Sequence, residues 1–380
     1  MRCLGLMSGT SADGVDAVLA DFQGAPNRPK WQLIRHIHSP YPESLKQRVV
    51  DAGQSKAYSA EAWLDLAEAI TEAQVRAAQS CDPGEEAYLI GCHGQTVCHR
   101  PPNSKQRGAS WQVLQAPLLA QLLGRPVIYD FRATDLALGG QGAPLVCKAD
   151  AALIGRIDGW RAFLNLGGIS NLTLIPPRCG PERFAAMRGW DCGPANSLID
   201  LAVQHFSDRA LNFDCGGAMA LAGRCDEMTI RHWLKETYFQ CPPPKSTGRE
   251  LFGRINLEQR LNGLGGNCSA NDVVATLTGF SAAVVAQDLK QLMRRNRIRP
   301  IELIVAGGGC NNPALMGELK QRCRGVQLSS SQDIGIPVEA REALVFALLA
   351  WWHQRQHPAN VPSITGASQE AVLGVMVNPV

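Results

Sequence analysis

The sequence lacks the features that mark secreted, membrane-spanning and disulfide-stabilised proteins. Its first residues have neither the charged start nor the long apolar stretch of a signal peptide. Its longest apolar run, near residues 344–352, is too short and too well patterned to cross a bilayer. The 13 cysteines are an odd number, and none stands in a CxxC pair, which is typical of reduced thiols. Low-complexity segments are absent as well. These absences predict a soluble cytoplasmic protein.

The sequence also lacks a strong excess of charge. The formal net charge is +3 over 380 residues, and no basic stripe or DNA-binding arm stands out. The cluster Arg294, Arg295, Arg297 and Arg299 is interpreted as the solvated end of a helix. Nucleic acid is therefore not expected as a partner. A chain of this length is long enough for two domains with full cores.

The common nucleotide-binding signatures are missing too. Lys245-Ser246-Thr247 has no glycine at the upstream spacing of a P-loop, and no GxGxxG follows a predicted strand. A nucleotide would therefore have to be held by other glycine-rich segments.

One such segment lies at the start of the chain. The apolar runs 3–7 and 15–20 flank the tip Ser8-Gly9-Thr10-Ser11-Ala12-Asp13-Gly14, a pattern that predicts a β-hairpin. A tip rich in glycine and hydroxyl groups can offer several N–H groups to a phosphate. An ordinary edge hairpin is the alternative.

A second segment repeats this order in mid-chain. Residues 163–166 and 172–175 are apolar, and they flank Gly167-Gly168-Ile169-Ser170-Asn171. Two such hairpins suggest two similar halves that face one nucleotide. The turn Gly307-Gly308-Gly309 lies between a predicted strand and the helix opened by Pro313. It would let an adenosine approach the backbone closely, or it only allows the strand and the helix to pack.

The remaining pattern predicts an α/β fold. Short buried strands end in polar segments, which is typical of a partly parallel sheet with ligands at the strand ends. The predicted strands beyond the hairpins lie at 31–34, 88–91, 126–129 and 301–305, and the main predicted helices at 59–79, 195–206, 271–295 and 337–353.

Two carboxylates are candidates for chemistry. Asp191, between Trp190 and a Gly-Pro turn, is either a helix N-cap or a general base near the γ-phosphate. Asp13 either caps its turn or helps to hold magnesium through water.

Four other polar side chains are candidates for substrate binding. The spacing of the histidines and cysteines near Gln95 and Thr96 matches no zinc site, so a metal is not expected there. The two polar side chains are therefore interpreted as ligands for sugar hydroxyls. Arg132, directly after a strand, could bind a carboxylate or form a surface salt bridge. Glu342 stands on an otherwise apolar helix, although a helix edge is its usual place.

Taken together, the motifs resemble those of the anhydro-N-acetylmuramic acid kinases. The likeness covers almost the whole chain, and its main motifs are 5–16, 93–96, 130–132, 140–146, 165–171, 191–196, 243–250, 306–309 and 365–367. The resemblance implies an actin/hexokinase-like (ribonuclease H-like) α/β fold with two lobes and mixed sheets. It places ATP in the cleft between the lobes, with Mg²⁺, in an enzyme of peptidoglycan recycling.

Carried over by position, the resemblance makes Asp191 the catalytic residue and gives Gln95, Thr96, Arg132 and Glu342 to the sugar. The residues expected to hold ATP are Gly9, Thr10, Ser11, Ala12, Asp13, Gly14, Val15, Asp16, Gly167, Gly168, Ser170, Gly307, Gly308 and Gly309. The first lobe is expected over 1–135, rejoined by 345–380, and the second over 136–344. Three residues depart from the family pattern: Ala12, Cys147 and Cys192.

The implied reaction needs only one carboxylate. Asp191 would deprotonate a water that attacks C1 of 1,6-anhydro-N-acetylmuramic acid, while O6 takes the γ-phosphoryl group of ATP. Arg132 would pair with the lactyl carboxylate. The alternatives are another amino-sugar kinase of this fold and a phosphatase or ATPase that needs no sugar. The assembly is left open, with a homodimer as one option.

Overall fold

The fold divides into two compact units. In the computed structural model, unit 1 comprises Met1–Ile154 and Gly335–Val380, and unit 2 comprises Gly155–Ile334. The residues described are 1–9, 12–54, 56–156, 158–243, 245–248, 251–264 and 268–380. The sequence placed residues 136–154 and 335–344 in the second lobe, whereas the structure places both segments in unit 1.

A buried ion pair explains why these two segments belong together. Arg341 Nε donates to Asp150 Oδ1 at 3.1 Å, and the two side chains are only 7% and 3% exposed. Charges this deeply buried need a partner, so the pair ties residues from 136–154 to residues from 335–344.

The elements follow in chain order. Residues 1–154 form β1 (Arg2–Ser8), β2 (Gly14–Ala25), β3 (Arg28–Pro40), α1 (Glu43–Gly53), α2 (Ala60–Cys81), β4 (Leu89–Arg100), β5 (Ala109–Val113), α3 (Ala116–Leu123), β6 (Val127–Tyr129), α4 (Ala133–Ala137) and α5 (Val146–Ile154). Residues 155–334 form β7 (Arg161–Leu166), β8 (Ile169–Ile175), β9 (Arg188–Pro194), α6 (Asn196–Phe206), α7 (Ala218–Ala222), α8 (Glu227–Trp233), α9 (Thr237–Gln240), α10 (Arg254–Leu264), α11 (Ala270–Asn296), β10 (Glu302–Ala306), α12 (Pro313–Arg322) and β11 (Gln327–Ser330). Residues 335–380 add α13 (Arg341–Gln354), α14 (Pro362–Thr365) and β12 (Val375–Val377).

The sheets of the two units share one strand plan. In unit 1 the order is β12-β6-β4-β1-β2-β3, with β5 paired to β4. In unit 2 it is β11-β10-β7-β8-β9. In each unit three antiparallel strands (β3-β2-β1 or β9-β8-β7) continue into two strands parallel to the hairpin's first strand (β4 and β6, or β10 and β11). The predicted mixed α/β class with two similar halves is confirmed.

In each unit one largely apolar helix packs against the sheet. In unit 1, α13 crosses β1 and β4 with Trp351 and Trp352 fully buried. A Cβ on Gly5 would collide with the carbonyl oxygen of Ala343, so the lack of a side chain there lets helix and strand meet backbone to backbone. In unit 2, α11 is buried along most of its length beside α6 and β9.

Two further observations concern the cysteines and the helices. All 13 cysteines are free thiols. Across the described ranges, no helix combines the length and apolar content that a bilayer span requires.

Candidate functional site

The start of α6 supports the tip of the predicted hairpin of unit 2. Its tip, Gly167-Gly168, joins β7 to β8, and the carbonyl oxygens of both glycines accept hydrogen bonds from the start of α6. Ala195 N donates to Gly168 O at 2.9 Å, and Asn196 Nδ2 to Gly167 O at 2.8 Å. In a trans peptide the N–H points opposite to the carbonyl. The N–H of Gly168 is therefore turned away from α6, an orientation that suits an anion.

The Gly307-Gly308-Gly309 turn packs against this hairpin. β10 runs parallel to β7, and its carboxyl end leads into the turn. Gly307 has φ +86°, and a Cβ there would lie 2.6 Å from Asn165 Oδ1 and 2.8 Å from the carbonyl carbon of Leu166. A Cβ on Gly308 would meet no described atom within 4 Å. The structure thus brings the two predicted nucleotide-binding segments of unit 2 together. Gly308 lies on the side of the turn where no described atom is near, which is called the open side below.

The Asp191 carboxylate lies in a cradle of three donors. It stands on β9, opposite Asn171 of β8, and is half-buried. Asn171 Nδ2 donates to Oδ1 at 2.8 Å. Ser246 Oγ and Thr247 N donate to Oδ2 at 2.9 and 3.0 Å. The carboxylate is therefore held in one orientation while part of it stays accessible.

Ser170 lies beneath this hairpin rather than on its open side. Its side chain is fully buried, and its hydroxyl donates to Gly193 O at 2.9 Å. It was predicted among the residues that hold ATP. In the structure its side chain joins β8 to β9, so only its backbone is left for a ligand.

In unit 1, the hairpin tip is supported by buried amides. Gln95 Nε2 donates to Gly9 O at 3.0 Å, and Gln74 Nε2 donates to Ser8 Oγ at 3.1 Å. Gln95 is only 1% exposed. It was predicted to bind the sugar, and the structure places its side chain under the tip as a support. Thr10 and Ser11 lie outside the described residues.

The other tip residues face different ways. Ala12 and Val15 are fully buried, and Gly14 is also buried, so they can offer a ligand only their backbone. Asp13 is exposed. The Asp16 carboxylate lies beside two histidines of the neighbouring strand β3: its Oδ1 is 3.3 Å from His36 Nε2 and 3.0 Å from His38 Nδ1.

Arg132 is fixed by two neighbours. Its Nη1 donates to Gly142 O at 2.7 Å, and its Nη2 to His93 Nε2 at 3.1 Å. Because a guanidinium can only donate, His93 Nε2 is the acceptor, and its Nδ1–H donates to Gly94 O at 2.9 Å. Burial, helped by the Arg132 charge, lowers the pKa of His93 to about 3, so the ring is neutral. Burial also lowers the pKa of Arg132, against the opposing effect of the Glu342 carboxylate.

The last two predicted sugar residues also lie in unit 1. Glu342 is exposed in the first turn of α13 and acts electrostatically on Arg132. Thr96 lies within β4, which continues to Arg100 instead of ending before the motif, and its Oγ1 accepts from Gln112 Nε2 at 3.2 Å. Gln95, Thr96, Arg132 and Glu342 thus belong to unit 1, whereas Asp191 and the glycine segments 167–168 and 307–309 belong to unit 2.

Sequence reasoning missed the residues that hold Asp191. Lys245-Ser246-Thr247 was considered as a sequence without the glycine spacing of a P-loop and as part of the family motif 243–250, not as a source of donors to the Asp191 carboxylate. Asp288, a buried carboxylate in the apolar part of α11, was visible as an exception to the helix pattern. Of the motif 243–250, Pro244, Arg249 and Glu250 are outside the described residues.

Comparison of the whole sequence with known proteins points to one family. The chain matches the family described as anhydro-N-acetylmuramic acid kinase over residues 1–379. It is 76% identical to the protein of that name from Synechococcus sp. (strain CC9902) and 66% identical to the one from Synechococcus sp. (strain CC9605). Both alignments cover 100% of this chain and of the relative.

The solved structures that match this chain are much more distant. The activator of the 2-hydroxyisocaproyl-CoA dehydratase from Clostridium difficile, with bound ADPNP, is 12% identical at a TM-score of 0.43, over 93% of this chain and 96% of that chain. The family assignment therefore rests on the full-length sequence matches. By those matches, the chain belongs to the anhydro-N-acetylmuramic acid kinase family.

Proposed function

We propose that this chain catalyses the reaction of its family with Asp191 as the general base. The enzyme is a kinase with ATP as the phosphoryl donor and 1,6-anhydro-N-acetylmuramic acid as the acceptor. Water adds to C1, the C1–O6 bond breaks, and O6 takes the γ-phosphoryl group. The products are N-acetylmuramic acid 6-phosphate and ADP.

The observation that carries the role of Asp191 is its cradle. A general base must present one oxygen to the water in a fixed direction. Three donors from Asn171, Ser246 and Thr247 hold the carboxylate at 2.8–3.0 Å. Asp191 lies on β9, which pairs with β8 of the hairpin, and the tip of that hairpin turns the Gly168 N–H outward. In this proposal the water loses its proton to Asp191, and the electron pair of the C1–O6 bond stays on O6, which attacks the γ-phosphorus.

The nucleotide is assigned to the two hairpin tips and the glycine turn. In unit 2, Gly167 and Gly168 would bind phosphate through the backbone, and Gly307 to Gly309 would lie against the adenosine. In unit 1, residues 9–16 would bind phosphate in the same way, with Asp16 outside direct contact because its carboxylate is engaged by His36 and His38.

The sugar is assigned to unit 1. Arg132, anchored by Gly142 O and neutral His93, would pair with the lactyl carboxylate through its remaining N–H groups. Its Nε is buried with no partner among the described atoms. Thr96 and Glu342 would bind sugar hydroxyls, and Gln95 would act through the loop that it supports.

The residues also suit a magnesium ion. Within the described ranges no group of three or more His, Cys, Asp or Glu side chains is arranged to hold a metal. Mg²⁺ in kinases needs only one or two carboxylates, with phosphates and waters as its other ligands. The exposed Asp13 on the hairpin tip fits that role. When bound, the ion supplies positive charge to the phosphates of ATP.

Location and assembly are parts of the same proposal. We place the enzyme in the cytoplasm, because that compartment supplies ATP and keeps free thiols reduced. The assembly stays open, with a homodimer as one option that light scattering on the purified protein would test.

The test is product analysis in ¹⁸O-labelled water with ATP, Mg²⁺ and the anhydro sugar. We expect label at C1 of the phosphorylated product; label found only in phosphate would contradict the reaction. Asp191→Asn should lower kcat by roughly 10²–10⁴-fold while ATP still binds. Asp158→Asn, on an exposed carboxylate of the same unit (59% exposed), is the matched control. Near-normal turnover by Asp191→Asn would remove it from the role.

A further inference from the structure

A buried ion pair lies directly behind the Asp191 cradle. Lys245 Nζ donates to Asp288 Oδ1 at 2.9 Å, and the two side chains are 5% and 1% exposed. Lys245 belongs to the loop that carries Ser246 and Thr247, and Asp288 belongs to α11. The pair therefore joins the loop of the cradle to the longest helix of unit 2.

Asp288 also holds the strand of the catalytic residue. Its Oδ2 accepts from Trp190 Nε1 at 2.8 Å. Trp190 and Cys192 are buried on one face of β9, and side chains alternate along a strand, so Asp191 points to the other face. A single carboxylate of α11 thus anchors the residue before Asp191 and, through Lys245, the loop that orients its oxygens.

Lys245 makes two further links to Asp191. Its carbonyl oxygen accepts from Asp191 N at 3.0 Å. Its ammonium lies 5.1 Å from the centre of the Tyr238 ring, and the Tyr238 hydroxyl donates to Asp191 O at 2.8 Å. Both backbone polar groups of Asp191 are therefore held by Lys245 or by its neighbour.

We propose that Lys245 and Asp288 are positioning residues for catalysis: their ion pair fixes β9 and the 245–247 loop together, and so aims the Asp191 carboxylate at the water. The proposal rests on the role of Asp191 stated above. Neither residue touches the reacting atoms. Their effect reaches the reaction only through Asp191.

Stability alone does not account for such a pair. Replacing a buried ion pair by apolar side chains of similar volume is often neutral or stabilising, whereas breaking it by removing one partner is costly. Apolar side chains would not preserve the direction of the loop, because the charged pair ties Lys245, the residue before Ser246 and Thr247, to one carboxylate of α11.

The test compares Lys245→Met, Asp288→Asn and the double variant Lys245→Met/Asp288→Leu with the unchanged protein. Far-UV circular dichroism and melting temperature establish that each variant is folded at the assay temperature, and kcat and KM are then measured for both substrates. We expect kcat per folded molecule to fall by about 100-fold, since small misplacements of a catalytic group have effects of that size, with KM nearly unchanged. Lys290→Met, on an exposed lysine of the same helix, is the matched control.

The double variant keeps the test decisive if a single variant does not fold, because it leaves no unpaired buried charge. A folded double variant with normal kcat would show that the pair is only structural and would overturn the proposal.

In an Asp191→Asn background, Lys245→Met should lower kcat no further. An inactive Asp191→Asn beside fully active Lys245 and Asp288 variants would refute the positioning role alone. An active Asp191→Asn would instead refute the proposed function.

Discussion

Gly307→Ala tests the packing of the nucleotide segments of unit 2. Gly307 has φ +86°, in the left-handed region, and the new methyl carbon would lie 2.6 Å from Asn165 Oδ1 and 2.8 Å from the carbonyl carbon of Leu166. Both neighbours belong to β7, the first strand of the hairpin. The strand must therefore shift, or the turn must open.

The expected cost follows from these two effects. At φ +86° and ψ 168° an alanine occupies a backbone region that is almost exclusive to glycine, which costs about 1–3 kcal/mol, and forcing an extra carbon into a packed site costs roughly 1–3 kcal/mol. A total near 3 kcal/mol corresponds to a melting temperature lower by roughly 6–12 °C for a unit of this size.

Gly308→Ala is the matched control for stability. A Cβ there meets no described atom within 4 Å, so scanning calorimetry should find its melting temperature unchanged. If adenosine lies on this open side, the same methyl group should raise the KM for ATP by roughly 10-fold, about 1.4 kcal/mol. Equal melting temperatures for the two variants would refute the packing argument.

Two further predictions concern unit 1. The pKa of His93 is about 3 in the fold and about 6.5 in an unfolded chain; the unfolded state therefore binds the extra proton between these values, and stability is lost as the pH falls from about 6.5 toward 3. Urea unfolding at pH 7 and pH 5 should show a loss about 2 kcal/mol larger for the unchanged protein than for His93→Gln, and equal losses would contradict a neutral buried His93. Arg341→Met should destabilise unit 1 by about 3–5 kcal/mol, because it leaves the Asp150 carboxylate buried and unpaired. Adding Asp150→Leu should restore most of that stability in the same urea assay, and a single variant as stable as the unchanged protein would refute the importance of the pair.

Local patterns in the sequence predicted the two hairpins well. Apolar runs that flank a glycine-rich tip need only neighbours along the chain, and β1–β2 and β7–β8 form where the pattern indicates. The helix predicted at 271–295 is α11, observed at Ala270–Asn296 and begun by a Ser269 capping box. These elements depend on periodicity and end signals, which a sequence displays directly.

Features that depend on distant pairing were harder to predict. β4 was expected to end before His93, but pairing with β5 extends it to Arg100, with an irregularity near Thr96. The last helix was expected to start at Pro337, whereas residues 337–340 form a turn and α13 begins at Arg341. Its first residue, Arg341, pairs with the distant Asp150, a contact that no local pattern reveals.

The candidate site shows the same division. The backbone segments 167–168 and 307–309 were recognisable by their glycines. The donors to Asp191 were not, because Ser246 lies 55 residues away in the chain. Gln95 was read as a ligand for sugar because a glutamine in a polar motif suits hydroxyl groups. Its burial under Gly9 depends on how β1 and β4 pair.

The discontinuity of unit 1 has a consequence for how the chain is made. Unit 2 ends at Ile334, whereas unit 1 also needs Gly335–Val380. Once residue 334 has emerged from the ribosome, every residue of unit 2 is free to fold. The sheet of unit 1 still lacks α13, which covers β1 and β4, and β12, which pairs with β6. Domains generally fold as units during synthesis, so the unit that emerges first must wait, with one apolar face uncovered, for the last part of the chain.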